Sequence, residues 1–432
     1  MKIMKYDFIV LGALGMQGKI VCRDLLEKGY SVLLIDREKP LPKDFLKCYK
    51  HSSLFIQADV KNIEKTKKII EKSGTDIVIN CAEDDVNLHV LNTCIEANVH
   101  SIDLGGSDIP MTKKQLSLDG VLKEKNLIHI TGCGSVPGIG NVMLKHAAKK
   151  LDKIDTVEIG FAWDSNIKEF VVPFSIESIT YEFTYPATVL ENGKFIKKSP
   201  MATIEEREHK VIGKQKCFLA AHQEPYTFYH FFRDKGLKNI RFYAGFPDHS
   251  FETIKTIIDL GLSKKKKIEF MKNKIRPIDF FTAILRRLVR PQGYKEMECL
   301  WLKIYGEKDG KEKLIEMECI APTLDGWEDA GCNIDTGIPA SIIAQMIKNG
   351  VIKESGSFAP EAIVPTKPFF EELAKKQMFI YENGRIINKP MKITLHHMNK
   401  FSSKKQNNTL SSQMRVQRNY LYASTHRRNQ RV

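Results

Sequence analysis

Three glycines between an apolar run and an amphipathic one constrain this chain more than any other feature. The run YDFIVLG leads into GALGMQG, with Gly12, Gly15 and Gly18 spaced G-x-x-G-x-x-G. Residues 16–28 then place Val21, Cys22, Leu25 and Leu26 on one helical face, and Gly29 stops the helix. Strand, glycine turn and helix in that order let the backbone approach a pyrophosphate. They also aim free N–H groups and the positive end of the helix at it. The next apolar run, SVLLID, ends in Asp36, where a carboxylate can accept from the hydroxyls of an adenosine ribose. Together these features predict a dinucleotide site built on Gly12, Leu14, Gly15, Met16, Gln17 and Asp36. The Asp36 carboxylate repels a 2′-phosphate and so favours NAD. Arg37, directly after it, is placed to clamp that phosphate, so NADP stays open.

The pattern continues to about residue 150. LFIQADV, TDIVINC, HSIDL and NLIHITG read as further strands, separated by helices over 62–72 and 86–97, the latter capped by Asp85. Strands interleaved with helices predict a doubly wound parallel sheet of the α/β class. Ligands bind at the carboxyl ends of such strands, which puts Asp59 and Val60 near the adenine and Cys81 and Ala82 beside the nicotinamide.

Beyond residue 150 the pattern changes. TVEIGFAW, ITYEFTYPATVL, KNIRFYAGF, ECLWLKIYGEKDG and KEKLIEMECIA read as strands, the last two joined by a DGKEK turn. They predict an inserted α+β domain on an antiparallel sheet. SKKKK at 263–267 reads as a solvated loop or helix end. A last helix starts at a cap on Asp335 or Thr336, carries Ile338, Ile342, Ile343, Met346 and Ile347 as its stripe, and ends at Asn349-Gly350. The expected organisation is a nucleotide domain over 1–138, a substrate and dimerisation domain over 139–325, helices returning to the first domain over 326–390, and a tail over 391–432.

The formal net charge of +15 raises the question of an anionic polymer. Residues 391–432 hold nine Lys and Arg and no acidic residue, so the body carries only +6. The tail reads as disordered, and with only Tyr420 and Tyr422 as aromatics it offers little for stacking on bases. Nucleic acid is therefore not an expected partner unless through that tail. Nine scattered cysteines without C-x-x-C spacing exclude a disulfide framework and a thiolate metal site, and fit a reducing, cytoplasmic compartment. No metal is expected. No stretch reaches the roughly 18 apolar residues of a membrane span, and no cleavage site follows the basic, apolar N-terminus.

The chain resembles the saccharopine dehydrogenase-like family, and within it the prokaryotic lysine 6-dehydrogenase group. The residues that carry the resemblance are VLGALGMQGKIVCRDLL, VINCAEDDVNLHVLNTCIEANVHSIDL, GCGSVPGIGNVML, ITYEFTYPATVLENGKF and TGIPASIIAQMIKNGVIKESGSFAPEAI, spread over residues 5–385. It implies hydride transfer between nicotinamide and the carbon of a C–N bond, with lysine or a lysine derivative such as saccharopine as substrate, and a homodimer. Carboxynorspermidine dehydrogenase-type activity is the alternative within the family. A non-catalytic NAD-binding regulatory module is the alternative outside it, because Val136 stands where several relatives carry an Asp before Pro-Gly.

Such chemistry needs a carboxylate receptor and a base. Gly134, Pro137 and Gly138, with Asn141 one turn on, form a candidate receptor for the substrate carboxylate. Glu83, Tyr181 and Thr336 are further candidates for substrate binding. For the base the candidates are Asp103 at the end of the fifth strand, Glu182 between two aromatic residues, and His249 in GFPDH. Cys133 has no visible activating neighbour, and His146 lies on an apolar face.

Overall fold

Side-chain size decides the first turn of the chain. In the computed structural model, which describes residues 5–38, 49, 51–106, 109–209, 211–285 and 287–389, Gly12 has φ +69° and a Cβ there would meet Ala82 N at 2.7 Å. A Cβ on Gly18 would meet Gly12 O at 2.1 Å. Only glycine lets the first helix start so close to the strand before it.

The elements, in chain order, are β1 (Phe8–Leu11), α1 (Met16–Glu27), β2 (Val32–Asp36), β3 (Ser53–Gln57), α2 (Ile63–Ser73), β4 (Ile77–Asn80), α3 (Asn87–Glu96), β5 (His100–Asp103), α4 (Ile109–Ser117), α5 (Asp119–Glu124), β6 (Ile128–Ile130) and α6 (Ile139–Ala148). They continue with β7 (Lys153–Ser165), α7 (Ile176–Thr184), β8 (Ala187–Glu191), β9 (Lys194–Lys198), β10 (Glu205–His209), β11 (Gly213–Leu219), α8 (Glu224–Phe232), β12 (Asn239–Phe246), α9 (Asp248–Asp259), β13 (Ile268–Phe270), β14 (Asn273–Ile275) and α10 (Pro277–Leu285). The last are β15 (Glu296–Lys308), β16 (Lys311–Pro322), α11 (Ile334–Lys348), β17 (Gly356–Phe358), α12 (Pro360–Ile363), α13 (Thr366–Lys375), β18 (Phe379–Glu382) and β19 (Arg385–Ile386).

The first sheet has the order β17-β6-β5-β4-β1-β2-β3 and is parallel throughout. This is the expected doubly wound sheet, with one strand, β17, supplied from far along the chain. The second sheet runs β10-β11-β12-β7-β15-β16-β18-β19, with β8 and β9 attached at β12. It is mixed rather than antiparallel, because β12 lies parallel to β7 over Asn239–Gly245. The turn between β15 and β16 is the tight one expected, with Asp309 and Gly310 both at positive φ.

Three further expectations need correction. ITYEFT is helical, as α7, despite its β-branched and aromatic residues. Ile176, Ile179 and Phe183 fall at helical spacing and are buried, and the Ser175 hydroxyl accepts from Ser178 N. Burial of that face overrides the local propensity. Asp85 caps nothing: it pairs with Lys61 at 2.8 Å, and α3 begins without a side-chain cap. Asp335 and Thr336 lie inside the first turn of α11, with Asn333 at the cap position. The four lysines at 264–267 are exposed and non-helical, as expected. The basic tail lies outside the described residues.

The C-terminal segment supplies strands to both sheets and packs helices against the first. Buried Asp24 of α1 accepts from Ser341 Oγ at 2.7 Å and pairs with Lys376 at 2.8 Å and Lys28 at 3.3 Å. Burial alone would raise the pKa of this carboxyl, but Lys28, Lys376 and Ser341 outweigh it and hold the carboxyl below the usual range. Asp24→Ala is expected to cost about 3 kcal/mol in urea unfolding, because it strands a buried hydroxyl and a half-buried ammonium. The wild-type advantage is present above the unfolded carboxylate pKa of about 3.9 and is lost as pH falls below it. Equal stability of the two proteins at neutral pH contradicts this.

Candidate active site

The nucleotide cradle assembles as the glycines require. α1 starts at Gly15 with no side-chain cap and no acidic residue in its first turn, so its N-terminal N–H groups and dipole face outward for an anion. Asp36 ends β2 and is 8% exposed. Its Oδ2 accepts from Leu14 N at 2.8 Å and its Oδ1 from Glu38 N at 3.0 Å. The carboxylate thus shapes the loop and keeps lone pairs for ribose hydroxyls. Arg37 is exposed beside it, 3.6 Å from Glu38. Cys81 and Ala82 border Gly12. Asp59 is exposed and accepts from Lys61 N, and Val60 packs on the small core beneath it. Met16 is exposed, and Gln17 reaches Asn333 Oδ1 at 3.2 Å. A cradle that a Cβ would fill, an uncapped helix start and a ribose-side carboxylate fit NAD(P).

The loop after β6 is arranged differently from expectation. Gly134 N donates to Pro137 O, and Gly138 N to Asn141 Oδ1, both at 2.8 Å. These two N–H groups are spent within the protein, so neither is available to a substrate carboxylate. Pro137 is buried, packed where side chains on Gly105 and Gly132 would have to go. Asn141 passes the contact on, donating to Glu361 Oε2 at 2.7 Å. Glu361 is buried, and desolvation pushes its pKa up to about 7 against the pull of Asn141 and Thr227. Ser135 is the half-exposed residue of the loop and meets Thr336 Oγ1 at 3.2 Å.

The three candidate bases separate. Asp103 is buried and committed. Its Oδ1 accepts from Gly105 N, Thr131 Oγ1 and Gly132 N, and its Oδ2 from Gln115 at 2.6 Å. That is the geometry of a positioning residue. His249 stands in the first turn of α9 beside Trp163, ring centroids 6.2 Å apart, and burial lowers its pKa. Glu182 faces inward from α7, and its Oε1 lies 3.8 Å from His222 Nε2. No hydrogen bond joins Asp103, Glu182 and His249 among the described residues.

His222 is the residue that sequence reasoning missed. It lies between β11 and α8, stacked on Phe242 at 3.6 Å, with Nδ1 3.2 Å from Glu224 Oε2. Its side chain is 14% exposed, whereas that of Glu224 is fully buried. Burial alone would lower the pKa of the ring, but Glu224 and Glu182 reverse this and raise it to about 9. Glu182 Oε2 and Glu224 Oε1 are buried without a hydrogen-bond partner. The next residue, Gln223, accepts from Gly106 N and Thr112 Oγ1. Gln223 is thereby fixed at the carboxyl ends of β5 and β6, where ligands of parallel sheets bind, and His222 directly precedes it. A polar HQE directly after the apolar CFLAA was the available signal.

Two further acidic clusters stand out. Glu83 is exposed, yet partial desolvation raises its pKa, with Glu177 of α7, Asp84 and Asp85 adding to the effect. Tyr181 stacks on Tyr185 at 4.4 Å on the same helix as Glu177. In the second cluster, Cys332 Sγ donates to Glu298 Oε2 at 3.5 Å and Cys332 N to Glu296 Oε1 at 3.0 Å. Burial pushes Asp335 up to about 7 and Glu298 well above the usual carboxyl range. Thr336 joins this cluster through Asp335 Oδ1 at 3.3 Å.

Comparison with known proteins identifies the family. The model of the saccharopine dehydrogenase NADP binding domain matches residues 8–136, and that of the saccharopine dehydrogenase C-terminal domain matches residues 134–378. The chain is 24% identical to carboxyaminopropylagmatine dehydrogenase of Synechocystis sp., over 73% of this chain and 82% of that one. It is 26% identical to carboxynorspermidine synthase of Vibrio cholerae, over 73% and 80%. The fold matches saccharopine dehydrogenase (L-Glu forming) from Saccharomyces cerevisiae with a TM-score of 0.67 at 14% identity, covering 88% of this chain and all of that one. With both halves of the molecule matched in order, the chain belongs to the saccharopine dehydrogenase family and is an NAD(P)-dependent dehydrogenase.

Proposed function

We propose that this dehydrogenase works on the C–N bond of a carboxylate-bearing amine with more than one cationic nitrogen. Lysine and lysine derivatives such as saccharopine fall in that class. Carboxylated aminopropyl amines, the compounds named in the Synechocystis and Vibrio relatives, are the members favoured here. The observation that carries the reading is His222 held between Glu182 and Glu224, next to Gln223 at the carboxyl ends of the parallel strands. Bound nicotinamide supplies the hydride acceptor or donor.

The rest of the chemistry belongs to the protein. Before a hydride leaves the carbon, its nitrogen must be neutral, so a proton has to be taken. His222 Nε2, beyond hydrogen-bond distance of Glu182, is the ring nitrogen without a close partner, and the two carboxylates stabilise the imidazolium that results. The unpartnered oxygens of Glu182 and Glu224 suit an ammonium, and exposed Glu83 adds negative charge for a second one. A reducing cytoplasmic setting rests on the nine scattered cysteines without C-x-x-C spacing. The homodimer rests on family resemblance.

A panel of lysine, saccharopine and carboxylated polyamines, read by nicotinamide absorbance with NAD and NADP, tests this. The highest kcat/KM is expected with a carboxylated polyamine. A panel without turnover, with cofactor binding shown separately, would sink the proposal. NAD remains the preferred cofactor in this reading, with exposed Arg37 as the anchor for a 2′-phosphate. Arg37→Ala is expected to raise the KM for NADPH roughly tenfold, the loss of one exposed charge-assisted contact, and to leave NADH unchanged. Equal effects on both would remove that role.

A further inference from the structure

The charge of the body is not evenly spread. Residues 264–290 hold ten Lys and Arg against Glu269 and Asp279, a net of +8, so the rest of the body through residue 390 is net −2. The same stretch is unusually apolar on its outside. Of twenty large hydrophobic residues exposed among the described ones, eight fall between Leu260 and Val289. Isolated exposed apolar side chains need no explanation, but a cluster on one excursion does.

The excursion is built to present these side chains. α10 buries Pro277, Ile278 and Leu285 against the body and turns Phe280 and Ile284 outward, four residues apart. Leu288 continues that spacing. The β13–β14 hairpin stands beside the helix, with the Phe270 and Phe280 rings 6.4 Å apart, so hairpin and helix form one surface. The hairpin tip is Met271-Lys272, both at positive φ. Such two-residue turns favour Asn-Gly. Here a Met that is 79% exposed occupies one instead, and Val289 at the other end is 88% exposed.

We propose that residues 264–290 form a docking surface for an anionic lipid bilayer. Phe270, Met271, Phe280, Ile284, Leu288 and Val289 enter the interface, and the surrounding lysines and arginines meet lipid phosphates. This composition, apolar side chains ringed by Lys and Arg with no spanning segment, is that of an interfacial element. No helix among the described residues is long and apolar enough to cross a membrane. A second copy is the poorer occupant, because a two-fold contact through this patch sets +8 against +8. The excursion also reaches the first turn of α7, where Lys265 lies 3.9 Å from Glu177.

Flotation of the full chain with vesicles decides the matter. The wild type is expected to float with phosphatidylglycerol–phosphatidylcholine vesicles and not with phosphatidylcholine alone, and to release as salt is raised. Replacing Lys266, Lys267, Lys272 and Lys274 by Gln should lower partitioning by at least about 100-fold, at a few-fold per charge near the surface. A second variant, Phe280→Glu with Ile284→Glu, alters only outward side chains and should also abolish flotation while NAD(P) binding in solution is kept. Equal binding to neutral vesicles, or flotation unchanged in both variants, overturns the proposal. So does a wild type that never floats but sediments as a dimer that Phe280→Glu dissociates.

Discussion

Gly15→Glu is expected to leave a folded protein that binds NAD(P) at least roughly 100-fold more weakly, since it loses charge-assisted contacts to a pyrophosphate and gains a like charge beside it. The structure separates the two effects. Gly15 has an ordinary φ of −64°, and a Cβ there would meet only Gly12 O, at 3.2 Å. The backbone tolerates a side chain with small adjustment. The same Cβ, however, stands at the uncapped start of α1, where a carboxylate both occupies the cradle and competes for its N–H groups. Gly12→Val provides the contrast. Its positive φ and the 2.7 Å contact with Ala82 N predict loss of stability as well as binding. Nucleotide titration by fluorescence and thermal unfolding distinguish the variants. Unaltered cofactor affinity in Gly15→Glu would mean that the pyrophosphate lies elsewhere.

His222→Asn is expected to lower kcat by roughly 100- to 10,000-fold, the usual contribution of one general acid–base group, with cofactor affinity retained. Asn cannot hold a proton, yet it is polar and small enough for the stack on Phe242. The pH profile should carry the signature of the residue. With the free-enzyme pKa at about 9, amine oxidation should rise through that pH and the reductive direction should fall through it. Glu224→Gln removes the larger electrostatic support and should move both limbs to lower pH. Folding follows the same linkage. A ring whose pKa is raised from about 6.5 contributes stability that is full below that value and is lost as pH rises through about 9. A His222→Asn enzyme with unchanged kcat and profile would return the base to Glu182 or His249.

The nucleotide half was legible because its signals are local. Periodicity and glycine spacing place β1, α1 and β2 within a residue or two, and Asp36 lies where the second strand ends. α7 was misread because Ile, Thr, Tyr and Phe favour strands locally, while the buried face that makes it a helix depends on Phe218, Phe246 and Phe251 from distant segments. The parallel pairing of β7 with β12 is equally non-local. The candidate site suffers most from this. His222, Glu182 and Glu361 come from three regions of the chain, and only His222 and Glu224 are neighbours in sequence. Glu296 and Glu298 did leave a trace. They occupy the same phase of β15 as inward-facing Leu300 and Leu302, and carboxylates in that phase are either an error or a site.

The strand β17 has a consequence for how the molecule is made. A ribosome that has released residues 1–138 has produced every glycine of the cradle, but β6 still has an open edge. That edge stays unpaired until the second sheet has been synthesised through β16 and Gly356–Phe358 arrives to cover it. An isolated N-terminal half would therefore carry all the cradle glycines together with an exposed edge at β6, the kind of edge that pairs with another copy.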